Sequence, residues 1–213
     1  TRSFHVTGVQ TCALPILLVV HPSAPVSNMR DFFEWTKSYS GALSFGSAGN
    51  GSGGHLAGEL YKIMTGVKAQ HIPYKSSAAA LIELSAGQYQ FNFTGMQTSQ
   101  AFLKSGRLKA LAVTSLKRVS SMPELPTIAE SGLNGFEVVG WYGLLAPAGL
   151  PRPILMRLNA EVRRIVEQPA FREAVAADGS EVLTNTPEEF RAFLEKDVAK
   201  WAKLLKESGA KLD

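Results

Sequence analysis

Residues 46–60 read GSAGNGSGGHLAGEL and decide how the rest of the chain is understood. The stretch follows a short apolar segment, ALSF (42–45), and runs into an apolar helical pattern, HLAGELYKIMTG (55–66). A strand, a loop with almost no side-chain bulk and a helix start therefore stand in a row. Backbone N–H groups in such a loop can approach a ligand closely. The first turn of the helix adds free donors and a partial positive charge, a combination that suits an anion. In open α/β sheets, ligands bind beyond the carboxyl ends of the strands, where this loop falls.

Two other readings stay open at this stage. Gly49, Gly51 and Gly54 match the dinucleotide pattern G-x-G-x-x-G. That fingerprint needs an acidic residue about 20 positions on, at the end of the next strand. The next strand, VKAQHIPYK (67–75), ends in Tyr74 and Lys75 instead. The loop could also be a permissive turn that holds nothing.

Working outward, the same rhythm repeats. Helical stretches close at a glycine and short strands follow: Gly41 before ALSF, Gly66 before VKAQHIPY, Gly87 before QYQFNF, and Gly106 before RLKALAVT. Apolar residues before these glycines have helical spacing: Met29, Phe32 and Phe33; Leu56, Leu60, Ile63 and Met64; Leu81 and Leu84. The alternation predicts an α/β fold with a parallel sheet and helices on both faces, over residues 22–135. After residue 116 the rhythm breaks. MPELPTIAESG (122–132) is turn-rich with one short helix, and FEVVGWYGLLAPAG (136–149) is extended. Two striped helices follow, one through Ile154, Leu155, Leu158, Val162 and Ile165, the other from Phe190 to Leu205. Thr186, Pro187 and Glu189 predict the start of the second as a capping box.

The remaining candidates lie at the other strand exits. Tyr74, Lys75, Ser76 and Ser77 offer a phenol, hydroxyls and a second helix start; Ser76 or Ser77 could equally be no more than a cap. Asn92, Thr94, Gly95, Met96 and Gln97 stand at the third exit, where they could add polar contacts or simply form a loop. His55 has no acidic neighbour in the pattern and reads as a surface histidine. His71 reads as a strand residue and Trp141 as a core aromatic. Asn50 occupies the first glycine position that a G-x-S-x-G elbow around Ser52 would need, and no cluster has metal-ligand spacing. The site reads as one built to hold rather than to transform, with no cofactor.

Composition agrees with a globular chain: 45% hydrophobic, 19% charged, net charge +4. Lys and Arg are not interleaved with aromatics, which argues against nucleic acid. Cys12 alone excludes an intrachain disulfide. The segment VTGVQTCALPI (6–16) matches, codon for codon, the translation of a common sequencing-adapter oligonucleotide. Residues 1–16 therefore read as a non-native artefact, with a genuine N-terminal strand or signal-peptide remnant as the alternative.

FGSAGNGSGGHLAGELYKIMTG, HIPYKSSAAALIELSAGQ, GRLKALAVTSLKR, PELPTIAESGLNGFEVVGWYGLLAPAGLP and RLNAEVRRIV, in this order, closely resemble the Bug-type periplasmic receptors, the substrate-binding proteins of tripartite tricarboxylate transporters. The resemblance covers residues 17–213. It implies a type II periplasmic-binding-protein fold, with two lobes, a hinge and a carboxylate held in the cleft by backbone N–H groups. On that basis residues 17–21 are a hinge strand, residues 22–135 the complete second lobe, and residues 136–213 the crossover and C-terminal helices of a first lobe that is otherwise missing. Half a clamp implies weak carboxylate binding, unpaired strand edges and bare apolar helix faces. The ligand-binding residues implied are Ser47, Ala48, Gly49, Asn50, Gly51, Ser52, Tyr74, Lys75, Ser76, Ser77, Thr94, Gly95 and Met96. The partners implied are a small carboxylate and membrane transporter subunits, for a periplasmic receptor that is monomeric at full length. Ser76 stands where the family usually has glycine, which points to a different ligand shape. Asn92 and Thr94 stand where it often has aspartate, which argues against amino-acid ligands.

Overall fold

A computed structural model describes residues 4–5, 10–14, 16–147, 149–177 and 179–210. In chain order the elements are β1 (Phe4–His5), β2 (Gln10–Leu14), β3 (Ile16–Val20), α1 (Met29–Ser38), β4 (Ser44–Ser47), α2 (Gly53–Thr65), β5 (Gln70–Pro73) and α3 (Ser77–Ser85). There follow β6 (Phe91–Gly95), α4 (Met96–Lys104), β7 (Lys109–Val113), β8 (Gly140–Gly143), β9 (Ala146–Pro147), α5 (Arg152–Val166), α6 (Pro169–Ala177), β10 (Glu181–Val182) and α7 (Pro187–Ser208). The chain divides into two compact units, one of Pro15–Val139 with Lys203–Asp213, the other of Thr1–Leu14 with Gly140–Ala202.

The larger unit is built on a five-stranded sheet in the order β5-β4-β6-β3-β7. β4 is parallel to β5 and to β6, while β3 runs antiparallel between β6 and β7. The sheet is therefore mixed rather than wholly parallel. The antiparallel strand is ILLVV (16–20), in which every residue is buried, as in a strand covered on both faces. Leu17–Val20, expected in a hinge strand, lies inside this sheet. Alternate residues of each strand serve opposite faces. Phe91 and Phe93 join Phe32, Phe45 and Tyr61 in an aromatic layer, with Phe32 and Phe91 edge-on at 5.4 Å. Leu17, Val19, Leu81, Leu84, Tyr89 and Met96 fill the other face.

Helix starts follow the expected chemistry. The Asn28 side chain accepts from Asp31 N–H at the head of α1, and Ser52 and Ser76 cap α2 and α3. Gly66, Gly87 and Gly106 take the positive φ expected of helix closure; Gly41 is not among them, and α1 closes at an extended Tyr39. Residues 122–132 form turns and a bridge between Thr127 and Val113, without the short helix that was expected.

In the other unit, β2 pairs antiparallel with β8 and β10, and β1 with β9. The expected extended segment supplies β8 and β9; α6 and β10 are additions that no sequence signal singled out. Thr186 and Glu189 form the capping box at the head of α7: Thr186 N–H donates to the Glu189 carboxylate at 2.7 Å and Glu189 N–H donates to Thr186 Oγ1 at 3.2 Å. Trp141 packs edge-on against Phe190 and Phe193 at 5.5 and 5.6 Å, while Tyr142 is exposed. The stripe predicted for α5 forms on one helix, yet Ile154, Leu158 and Ile165 are each nearly half exposed.

Candidate functional site

Because β4, β5 and β6 run in one direction, the helices that follow them all begin at the same edge of the sheet. α2 starts after the glycine loop, α3 after Tyr74–Ser76, and α4 directly from β6. By position, the N–H groups of Gly53 and Gly54, of Ser77 and Ala78, and of Met96 and Gln97 have no carbonyl of their own helix behind them. The first turns of these three helices contain no acidic residue. α1, which follows the antiparallel β3 and so starts at the opposite edge, carries Asp31 there. A carboxylate in the first turn is the ordinary complement of the helix dipole. Its absence from all three starts leaves that edge free to complement an outside anion.

The sequence candidates come together at this edge, and their roles separate. Ser47 is 1% exposed, and its hydroxyl is turned inward: it donates to the Gly49 carbonyl, accepts from Gly49 N–H and meets His71 Nε2 at 2.7 Å. Gly49 and Gly51 have φ of 116° and 75°, conformations that an L side chain would strain. Ser52 closes the loop, its Oγ donating to the Gly49 carbonyl at 2.7 Å while accepting from His55 N–H. Ala48 and Asn50 are half-buried on the same loop. The Tyr74 N–H donates to the Ser47 carbonyl at 3.0 Å, which fastens the second strand exit to the first. The Tyr74 phenol is raised above its ordinary value, first by burial and then by Glu83. Lys75 is exposed, and Ser76 Oγ accepts from Ala79 N–H, so the cap reading holds for its hydroxyl.

At the third exit, Thr94 is 4% exposed and its hydroxyl has no hydrogen-bond partner among the described residues. Gly95 heads α4 with no side-chain cap. Met96 is buried in the sheet core, so its side chain belongs to the packing and only its N–H lies at the helix start. Asn92 donates to the Tyr89 hydroxyl at 2.7 Å and is engaged in the core.

His55 is a correction. It is 2% exposed, not a surface residue, and Glu59 one turn along the helix lies 3.8 Å from its Nε2. Its ring stacks on that of His71 at 3.9 Å and 11°. The helical spacing of Glu59 from His55 was the signal in the sequence that could have found the acidic neighbour. The stack with His71 depends on β5 lying beside the glycine loop. Among the described residues no group of His, Cys, Asp and Glu could hold a metal, and no helix is long and apolar enough to cross a membrane.

Residues 5–210 match the model of the tripartite tricarboxylate transporter family receptor. The chain belongs to that family. It is 32% identical over 199 residues to protein BugT of Bordetella pertussis, a match covering 93% of this chain and 61% of BugT. Among solved structures, Rpa4515 of R. palustris with adipate superposes with a TM-score of 0.88 at 32% identity, over 98% of this chain and 70% of that one. The periplasmic binding protein BugD superposes with a TM-score of 0.85 at 35% identity, over 99% of this chain and 71% of that one. The fold of this receptor family is thus that of the periplasmic binding proteins, as the motif order implied. The chain spans about three fifths of the length of BugT and of a second curated relative, 35% identical, from Pseudomonas sp. strain P51.

Proposed function

We propose that this receptor-family chain binds a small dicarboxylate or tricarboxylate at the edge where α2, α3 and α4 begin, and carries it without covalent change to the membrane subunits of a tripartite transporter in the periplasm. The observation that carries the reading is the set of three helix starts at one sheet edge, all free of first-turn carboxylates. Ser47 to Ser52, Tyr74 to Ser77 and Thr94 to Met96 frame the site, with recognition by backbone N–H groups and the Thr94 hydroxyl, which has no partner among the described residues. The Ser47, Ser52 and Ser76 hydroxyls act indirectly, since each is committed to the loop or to a cap. Adipate in the related Rpa4515 makes a linear dicarboxylate the natural probe. Tyr74 and Lys75, with no acid at the second strand exit, disfavour a nucleotide.

Amide chemical shifts recorded while adipate is added at millimolar concentrations test this, because they register weak as well as tight binding. The expected perturbations lie at residues 48–54, 77–78 and 95–97, with none from adenosine monophosphate. Perturbations confined to other surfaces, or a response to the nucleotide alone, would sink the proposal. The non-native reading of residues 1–16 rests on the codon match, and sequencing across the source DNA tests it.

A further inference from the structure

Beneath the glycine loop two imidazoles are stacked face to face, and each holds a different residue of the loop. His55 Nδ1 accepts the Gly51 N–H at 2.9 Å. His71 Nε2 lies 2.7 Å from Ser47 Oγ, the hydroxyl that both accepts from Gly49 N–H and donates to the Gly49 carbonyl. Gly49 and Gly51 are the two positive-φ residues that turn the loop toward the start of α2. The imidazoles therefore hold the two bends of the loop.

We propose that His55 and His71 are positioning residues for the ligand loop, a neutral stacked pair that fixes the Gly49 and Gly51 bends and so aims the N–H groups at the head of α2. The inference rests on the reading of that edge as the ligand site. It adds two residues that touch no ligand and act through the backbone.

The hydrogen bonds fix the neutral tautomer of His55 and the donor nitrogen of His71. A ring nitrogen that accepts an N–H carries no proton, so His55 holds its proton on Nε2, facing Glu59. Ser47 Oγ has one proton. When that proton goes to the Gly49 carbonyl, His71 Nε2 must donate to Oγ, and burial beside His55 and Lys62 disfavours a second proton on Nδ1. Both rings are then neutral. The charged groups around them are Glu59 and Lys62, both on α2, with Lys62 Nζ 2.8 Å from Glu59 Oε1. Burial lowers His55, against Glu59, which raises it, and with Lys62, which lowers it. Burial, then His55, then Lys62 hold His71 down to about 4. Neutrality of a close stack is also what electrostatics requires, since two imidazolium rings 3.9 Å apart would repel.

The sign follows. A histidine whose folded value lies below its ordinary 6.5 contributes its stabilisation in full above 6.5 and loses it as pH falls through the folded value. The loop geometry therefore holds at neutral pH and loosens between about pH 6.5 and 4.

The test pairs disruptive and conservative variants, since alanine at a buried site can unfold the unit. His55→Asn keeps an acceptor where Nδ1 stands and His71→Gln keeps a donor where Nε2 stands; neither titrates. Amide resonances and exchange rates of Gly49 and Gly51 are followed from pH 7.5 to 4, alone and with adipate. In the unmutated chain both amides should shift through the acid range. In the Asn/Gln double variant they should not, while keeping their neutral-pH positions. His55→Ala and His71→Ala should each speed exchange at Gly49 or Gly51 and weaken adipate by about tenfold. The carboxyls of adipate titrate alike in every sample, so comparison between variants removes their effect. Unchanged loop amides in the alanine variants, or the same acid shift in the Asn/Gln variant, overturn the inference. If the loop amides respond as expected but adipate perturbs nothing, the positioning role stands and the ligand reading fails. Should the alanine variants unfold, the titration of the unmutated chain against the Asn/Gln variant decides alone.

Discussion

Gly54 lies flush against Phe93: a Cβ built on the glycine would stand 2.3 Å from the Phe93 carbonyl oxygen. The first turn of α2 is thereby seated on the end of β6. Backbone cannot retreat as a side chain can, so Gly54→Ala must push the helix start away from the sheet. The expected cost is about 1–3 kcal/mol. Urea unfolding measures it, and the displaced N–H groups should show as weakened adipate binding. A variant that keeps both stability and binding would mean that the seat is softer than it looks.

Thr94→Val separates a binding hydroxyl from a structural one. The Thr94 hydroxyl is buried and bonded to none of the described residues, so its loss should leave the unfolding midpoint unchanged or raise it. If the hydroxyl donates to the ligand, affinity for adipate should fall by about tenfold. Calorimetry and thermal unfolding on the same pair of proteins give the two numbers. Lower stability with intact affinity would remove Thr94 from the site.

In the other unit, Asp197 accepts from two indoles, Trp141 Nε1 at 3.1 Å and Trp201 Nε1 at 2.9 Å. Asp197→Leu strands both donors in a partly buried setting, with an expected loss of about 1–3 kcal/mol. Asp197→Asn keeps one acceptor oxygen and should lose less. Denaturant unfolding followed by tryptophan fluorescence ranks them; equal stability of all three proteins would show that water replaces the carboxylate at no cost.

The head of α7 gives a pH prediction at an exposed site. Hydrogen bonds from the backbone and side chain of Thr186 lower the Glu189 carboxyl below its ordinary 4.5. The capping box therefore stabilises fully above 4.5 and is lost as pH falls through the lowered value. Thr186→Ala removes the cap at neutral pH and should cost about 1 kcal/mol. Helical circular dichroism of the variant should be less sensitive to acid than that of the unmutated chain.

Much of this was legible in local patterns. The glycine loop, the Thr186 cap and the helical stripes depend on neighbours three or four positions apart, and such signals survive in one dimension. The direction of β3 was not legible, because a fully apolar run such as ILLVV fits either orientation. The burial of His55 was equally hidden: nothing in HLAGEL marks the imidazole as covered, since the cover comes from His71, sixteen residues on and one strand across. The candidate residues share one end of the sheet, but which of their hydroxyls are turned inward needed hydrogen bonds that the sequence does not carry.

The place of Ile16–Val20 sets a limit on how far the chain can be shortened. In the order β5-β4-β6-β3-β7, the last strand meets the rest of its sheet only across β3. Trimming past Ile16 would orphan Lys109–Val113 and open the floor on which Met96 and Val113 rest. Any shortened version that keeps this sheet whole should therefore begin at or before Ile16, whatever the origin of the residues in front of it.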